Sequence, residues 1–165
     1  MEHSNYPQPI RHIVADEKVL DTPVAARART RIPNASLHIC GQDEPFPLRI
    51  RDKSVLYLKH YRGRFLRYCP GTSSYRCCGY RIVHIGENCP LSCTYCILQA
   101  YFQDSVLKIW ANQQDLWEEL DREIGSRPER LFRMGTGEFT DSLALEPITE
   151  YSRDLLAFLA DYPNC

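Results

Sequence analysis

Three cysteines lie within the eight residues CPLSCTYC at positions 89–96, with the spacing Cys89-x3-Cys93-x2-Cys96. Cysteine thiolates are soft ligands that suit zinc and iron–sulfur clusters. A structural zinc site usually takes four protein ligands in two short pairs. No second pair follows here, because the remaining downstream cysteine is Cys165 at the end of the sequence. Three thiolates can instead hold a four-iron cluster, which leaves one iron open for a cofactor or substrate.

The other cysteines do not change this interpretation. Cys69, Cys77 and Cys78 lie upstream, but Cys77 and Cys78 are adjacent and cannot easily face one metal together. The start, MEHSNYPQPIRH, has no apolar stretch of signal-peptide type. Eight cysteines in a chain without an export signal favour metal binding over disulfides. No apolar run approaches the roughly 20 residues of a membrane helix, so we expect a cytoplasmic protein that does not contact a membrane.

The first 65 residues predict the small elements of an α/β domain. A strand and turn are expected over 10–20, a helix over 22–32 and alternating strands over 36–41 and 54–61. Thr22 is the predicted N-cap of the helix, and Pro23 is its first residue. The order strand, helix, strand, strand predicts a small amino-terminal domain over residues 1–65.

The remainder predicts a cysteine-rich connector, 66–79, and the first part of a barrel, 80–165. Strand–helix alternation favours a parallel sheet that holds ligands at the carboxyl ends of its strands. The predicted order is strand 80–86, the cysteine loop, a short helix, strand 105–112, helix 113–125 capped by Asn112, strand 129–135, a glycine loop and helix 147–162. The sequence stops where another strand is expected, so the predicted barrel is incomplete.

A basic stretch, KHYRGRFLRY at 59–68, is a candidate nucleic-acid site. It places Lys59, Arg62, Arg64 and Arg67 among aromatic residues, a mixture in which cations contact phosphates and rings stack on unpaired bases. The net charge of −1 divides into +7 over residues 1–81 and −8 over the rest. The alternative is a strand with an ordinary solvated charged face.

The C-x3-C-x2-C loop after a strand resembles the radical S-adenosylmethionine (radical SAM) superfamily. The resemblance implies that Cys89, Cys93 and Cys96 hold a [4Fe–4S] cluster whose open iron binds S-adenosylmethionine. It also implies reductive cleavage of that cofactor to a 5′-deoxyadenosyl radical, for which the protein provides positioning.

The same resemblance assigns the cofactor contacts. Tyr95, just before the last cysteine, corresponds to an aromatic residue beside the adenine and is the predicted catalytic tyrosine. The GTGEFTDS loop resembles the Gly-Gly-Glu-like motif that meets the methionyl group, which implicates Gly135, Gly137, Glu138 and Thr140. The alternatives are a packing aromatic for Tyr95 and a plain glycine turn for the loop.

The stretch RYCPGTSSYRCCGYRIVHIGENCPLSCTYCILQAYF, 67–102, resembles the spore photoproduct lyase family more specifically. The similarity extends to the segments DTPVAARARTRIPNASLHI and RMGTGEFTDSLALEPIT, and so covers nearly all of the chain. It implies radical repair of a thymine–thymine adduct, with DNA and a low-potential electron donor as partners.

Two residues depart from that family. Glu138 stands where the lyases place a hydrogen-donating cysteine, and Ile97 stands where they have a tyrosine. A carboxylate cannot replace a thiol as hydrogen-atom donor. Two alternatives therefore stay open: a radical SAM enzyme with another substrate, or a metal- and nucleic-acid-binding fragment without turnover. The sequence does not predict an oligomeric state.

Overall fold

The computed structural model describes residues 9–41, 44–71 and 73–165. The start of the chain at 1–8, the two residues 42–43 and Thr72 of the connector lie outside the described residues. Eight strands are described: β1 His12–Asp16, β2 Ser36–Cys40, β3 Val55–Lys59, β4 Leu66–Tyr68, β5 Arg81–Val83, β6 Gly86–Glu87, β7 Leu107–Trp110 and β8 Met134–Gly135. The α-helices there are α1 Pro23–Arg31, α2 Leu98–Tyr101, α3 Gln113–Leu120, α4 Glu146–Thr149 and α5 Tyr151–Leu159.

The strands form two sheets, and the predicted α/β class is confirmed. The larger sheet has the order β2-β1-β3-β7-β6, in which the first four strands are parallel and β6 is antiparallel to β7. The smaller sheet has the order β4-β5-β8, in which β5 is antiparallel to β4 and parallel to β8. No helix in the described part of the chain is long and apolar enough to cross a membrane.

The larger sheet joins the two sides of the predicted boundary near residue 65. β3 pairs with β7 in parallel, with Leu56 opposite Leu107 and Leu58 opposite Ile109. One buried apolar cluster contains Leu56 and Val24 from the first segment together with Leu107, Leu116 and Tyr151 from the second. The boundary therefore does not divide two hydrophobic cores. The predicted connector begins with β4 and has no further strand or helix over its described residues.

Helix α1 forms as predicted from its first turn. The Thr22 hydroxyl accepts a hydrogen bond from the Ala25 N–H at 3.4 Å, and Pro23 occupies the first helical position. Val24, Ala25 and Ala28 are fully buried on one side. The small side chains let the helix pack closely, and Arg27 reaches the chain around α4 and α5.

The predicted helix over 147–162 is wrong as a single element, because the chain turns between α4 and α5. Glu150 has a left-handed backbone with φ 50°. The Glu146 carboxylate accepts hydrogen bonds from the N–H groups of Ser152 and Arg153 at 2.8 and 3.0 Å, so it caps the start of α5. These local hydrogen bonds pair N–H groups at the start of α5 that a continuous helix would pair with backbone carbonyls.

The segment after residue 112 follows the prediction in its packing and departs from it at its start. Leu116, Leu120 and Ile124 are fully buried, and a π-helical turn over Asp121–Gly125 ends the segment at the predicted glycine. Asn112 does not cap α3 through its side chain. Its amide instead pairs with the backbone N–H and C=O of Tyr61, each at 2.8 Å. Of the strand predicted over 129–135, only Met134–Gly135 forms.

Candidate metal and cofactor site

Asn88 fixes the point at which the cysteine loop leaves β6. Its backbone is left-handed, with φ 66°, a conformation that asparagine tolerates better than most residues. The side chain is buried, and its Nδ2 donates hydrogen bonds to the carbonyls of Asp104 at 3.1 Å and Val106 at 2.8 Å. The residue before Cys89 is therefore tied to the chain that enters β7.

Two further side chains hold the loop itself. Lys53, just before β3, donates from Nζ to the Leu91 carbonyl at 2.5 Å and to the Ser92 hydroxyl at 3.0 Å. Gln99 in α2 donates from Nε2 to the Cys93 carbonyl. The loop thus lies beside the amino ends of β3 and β7 while it follows the carboxyl end of β6.

The three cysteines of this loop are free thiols of intermediate exposure. Cys89 and Cys96 both line a small cleft of about 160 Å3. The Cys96 N–H donates to the Cys93 carbonyl at 3.1 Å, which forms a turn between these two cysteines. Burial raises the pKa of the Cys89 thiol, and backbone N–H groups of Leu91 and Asp141 act in the opposite direction.

The glycine loop reaches the same place. The Asp141 backbone N–H lies close enough to the Cys89 thiol to lower its pKa, so residues 52 positions apart in sequence are neighbours here. Thr140 is 3% exposed, and its Oγ1 has no hydrogen-bond partner within the described residues. Thr136 Oγ1 bonds to Ser142 Oγ at 2.7 Å across the loop. Gly137 lies inside this turn, where an added Cβ would come 3.3 Å from the Ser142 hydroxyl.

The other two predicted cofactor residues of this loop differ in their surroundings. Glu138 is half-buried, and it makes no hydrogen bond or ion pair with any residue that the structure describes. At Gly135 an added Cβ would overlap the Tyr80 hydroxyl, so a side chain here needs the tyrosine ring to move. The absence of a side chain at Gly135 is thus explained by Tyr80 without any cofactor.

A ring cluster around Phe139 joins the glycine loop to α2 and β5, and the sequence did not predict it. The Phe139 ring centroid lies 5.0 Å from His84 and 6.0 Å from Tyr101. The Arg67 guanidinium lies 5.8 Å from the same ring. Burial, and then the charge of Arg67, lower the pKa of His84 to about 3, so this imidazole is neutral near pH 7. The sequence feature that could have indicated this ring cluster is the aromatic pair Tyr101 and Phe102, a few residues after the cysteine loop.

The residues fit a three-thiolate cluster in their chemistry, although the sulfurs do not form a ready metal site. Within the described ranges, no group of three or more Cys, His, Asp or Glu side chains is arranged to hold a metal ion. Cys89, Cys93 and Cys96 nevertheless supply three unpaired thiols on one loop, and backbone N–H groups face one of them. Hydrogen bonds to sulfur are a normal feature of iron–sulfur ligands. The unpartnered Thr140 hydroxyl adds a buried polar atom in the glycine loop.

Tyr95 and Ile97, on either side of Cys96, point outward. Tyr95 is 90% exposed and Ile97 is 73% exposed. In the part of the chain that the structure describes, the Tyr95 ring makes no hydrogen bond or ring contact. Its role beside an adenine ring stays a prediction.

The four basic residues of 59–68 are distributed over three surroundings. Lys59 and Arg62 line a cleft of about 500 Å3 at the carboxyl ends of β1 and β3. Arg64 lies 3.9 Å from Glu119 and 3.5 Å from Glu123, so two carboxylates offset its charge. Arg67 donates to the Tyr61 hydroxyl and lies over the Phe139 ring. Their role in binding nucleic acid stays a prediction.

Comparison with known proteins shows the fold. No family model matches the chain, and no curated protein matches it. A spore photoproduct lyase complexed with dinucleoside spore photoproduct superposes with a TM-score of 0.71 at 16% identity, over 94% of this chain and 48% of the lyase. A variant of that enzyme with bound AdoMet and dinucleoside spore photoproduct gives 0.72 at 15% identity, again over 94% and 48%. The chain therefore has the fold of about half the length of these solved structures.

Proposed function

We propose that this chain is a spore photoproduct lyase-like radical SAM protein. The observation that carries the proposal is the proximity of the two loops. Phe139 of the glycine loop lies 6.0 Å from Tyr101, just after the three-cysteine loop, and the Asp141 backbone lies close enough to Cys89 to act on its thiol. A radical SAM site needs this proximity, because one loop holds the cluster and the other holds the cofactor that binds its open iron. The fold shared with spore photoproduct lyase supports the same assignment.

In this proposal Cys89, Cys93 and Cys96 are the cluster ligands. A bound [4Fe–4S] cluster with S-adenosylmethionine supplies one-electron cleavage of the sulfonium to a 5′-deoxyadenosyl radical. The residues of the chain bind and orient the cluster and S-adenosylmethionine. The Thr140 hydroxyl and the Glu138 carboxylate are free to receive the polar methionyl end, with the Gly137 turn alongside. Tyr95 covers the adenine.

The proposed substrate is a thymine photolesion in DNA. Its support is the dinucleoside spore photoproduct bound in solved structures of the same fold. Lys59, Arg62, Arg64 and Arg67 are the proposed contacts to the DNA, and a low-potential electron donor is the second partner. We place the protein in the cytoplasm. The chain corresponds to 48% of those lyases, so each of these points belongs to the proposal.

Anaerobic reconstitution with iron and sulfide tests the cluster. We expect about four irons per chain and a reduced-state EPR signal that S-adenosylmethionine perturbs. Replacing all three loop cysteines by serine should abolish iron binding. A matched variant with serine at Cys77, Cys78 and Cys165, three exposed thiols outside the loop, should keep it. One bound zinc with no uptake of iron, or iron loss in the matched variant alone, would contradict the assignment.

Glu138 favours a second candidate, a radical SAM enzyme that acts on another substrate. This carboxylate has no described partner and cannot donate a hydrogen atom. Incubation of the reconstituted chain with S-adenosylmethionine, dithionite as electron donor and dinucleoside spore photoproduct separates the two. Recovery of thymine favours the lyase, and Glu138→Cys should raise that recovery. Formation of 5′-deoxyadenosine without thymine in both forms favours the second candidate. No 5′-deoxyadenosine at all would leave a binding fragment without turnover.

A further inference from the structure

Three arginines, Arg81, Arg130 and Arg133, lie at or near the end of the smaller sheet where β5 and β8 begin. Arg81, the first residue of β5, is the register partner of Tyr68, the last residue of β4. The Arg81 N–H donates to the carbonyl of Arg133, which directly precedes β8, at 2.8 Å. Among the residues that the structure describes, no ion pair involves Arg81, Arg130 or Arg133.

Arg81 is the most unusual of these residues. It is 2% exposed, and its guanidinium carbon lies 3.3 Å from the centre of the Tyr68 ring. Its Nε and Nη2 have no hydrogen-bond partner within the described residues. A buried guanidinium without an anion is unfavourable, because it has lost its hydration without gaining a partner. The Arg81 guanidinium therefore carries a positive charge that no hydrogen-bonded anion among the described residues offsets.

The acidic residue nearby is already engaged. Glu123 accepts a hydrogen bond from Arg127 at 2.9 Å and lies 3.5 Å from Arg64. A hydrogen bond from Arg81, then the charges of Arg81 and Arg130, lower the pKa of Tyr68. Both arginines thus act on the same tyrosine, and positive charge is in excess around it.

Tyr68 has the surroundings of a stacking platform. One side of its ring rests on the Arg81 guanidinium, yet the residue is 65% exposed. Arg133 lies over Tyr80 at 5.6 Å, and Arg130 lies over Phe132 at 5.4 Å. Interleaved cations and aromatic rings are the usual means by which proteins bind single-stranded nucleic acid.

We propose that the arginine–tyrosine face, made of Tyr68, Arg81, Arg130 and Arg133, binds a single strand of nucleic acid. A base stacks on the exposed face of Tyr68, and neighbouring phosphates contact the exposed Arg130 and Arg133. Arg81 stays buried beneath the ring and adds positive charge from below. A single strand is required because a base in a duplex has both faces covered. The face lies at the amino end of β8, whereas the glycine loop follows its carboxyl end, and binding here needs neither cluster nor cofactor.

Fluorescence anisotropy with the 165-residue chain, without reconstitution, tests this face apart from the proposed function. The probe is labelled oligothymidine of about 12 nucleotides, within the usual site size. Tyr68→Leu keeps an apolar cover over Arg81 but removes the ring, and should weaken binding about 5- to 100-fold. Tyr68→Phe should stay within about twofold, because the stacking ring remains. Arg130→Gln should reduce the slope of log affinity against log salt by about 0.7.

The matched control is Arg153→Gln, an exposed arginine of α5 that lies 3.9 Å from Glu150. It should leave both affinity and salt slope unchanged. Three results would overturn the proposal: no binding of oligothymidine by the unmodified chain, equal affinity for a duplex of the same length, or equal effects of Arg130→Gln and Arg153→Gln. Since Arg130 is exposed, its variant gives a result even where Tyr68→Leu fails to fold.

Discussion

Replacement of Asn88 is the sharpest test of how the cysteine loop is held. Asn88→Ala removes two hydrogen bonds, at 2.8 and 3.1 Å, and leaves the carbonyls of Asp104 and Val106 without that donor. Each lost bond costs about 0.5–1.5 kcal/mol. Alanine in a left-handed backbone adds about 1–2 kcal/mol. The expected fall in the free energy of unfolding is therefore about 2–5 kcal/mol.

Asn88→Gly separates the two contributions. Glycine loses the same hydrogen bonds but adopts the backbone angle φ 66° without steric strain. At an ordinary position, alanine is more stable than glycine by about 0.4–1 kcal/mol, through the entropy of the unfolded chain. At residue 88 we expect the opposite order, with glycine more stable by about 0.5–1 kcal/mol, because the left-handed strain exceeds the entropy term.

Urea unfolding at 25 °C measures both variants, and alkylation of Cys89 followed by mass spectrometry reports the loop. Cys89 is half-buried and its thiol pKa is raised, so it should react slowly in the native chain and faster in Asn88→Ala. The reasoning is refuted if alanine is more stable than glycine at this position, or if Cys89 reacts equally fast in all three proteins.

Three further substitutions test the packing around the candidate site and the contacts between α1 and α5. Between pH 6.5 and 3, His84 binds a proton in the unfolded chain but not in the folded chain. The free energy of unfolding should therefore decrease as the pH is lowered, by up to about 1.4 kcal/mol per pH unit. In urea unfolding at several pH values, His84→Gln should flatten this part of the profile. Gly135→Ala should cost about 1–3 kcal/mol, with partial recovery by Tyr80→Phe in a double-mutant cycle, because the added Cβ overlaps the tyrosine hydroxyl. Arg27→Ala should lower the free energy of unfolding by about 1–3 kcal/mol through loss of its paired hydrogen bonds to α5, whereas exposed Arg29→Ala should change it by less than about 0.5 kcal/mol.

Local elements were predictable where local residues determine them. Helix α1 begins at Pro23 because Thr22 caps it, and this information lies within four residues. The buried row of Leu116, Leu120 and Ile124 follows from helical periodicity for the same reason. The three-cysteine loop and the glycine loop were also visible as motifs.

What could not be predicted depends on partners far along the chain. The pairing of β3 with β7 joins residues about 50 positions apart, so no local pattern shows that the predicted boundary near 65 lies within one sheet. The turn at Glu150 is supported by Arg27, more than 120 positions away, which donates to the Thr149 carbonyl at 2.9 Å. In the site, the meeting of Phe139 with His84 is likewise a long-range contact.

The hydrogen bonds from Lys53 to the cysteine loop limit how this protein could be recombined. Lys53 lies in the segment before β3, ahead of the predicted domain boundary near residue 65, whereas the cysteine loop that it supports follows that boundary. A graft of residues 66–165 onto a foreign amino-terminal sheet would lose this lysine. Successful chimeras would have to retain a donor at that position, and Lys53 and the loop residues should therefore change together among proteins that share this arrangement.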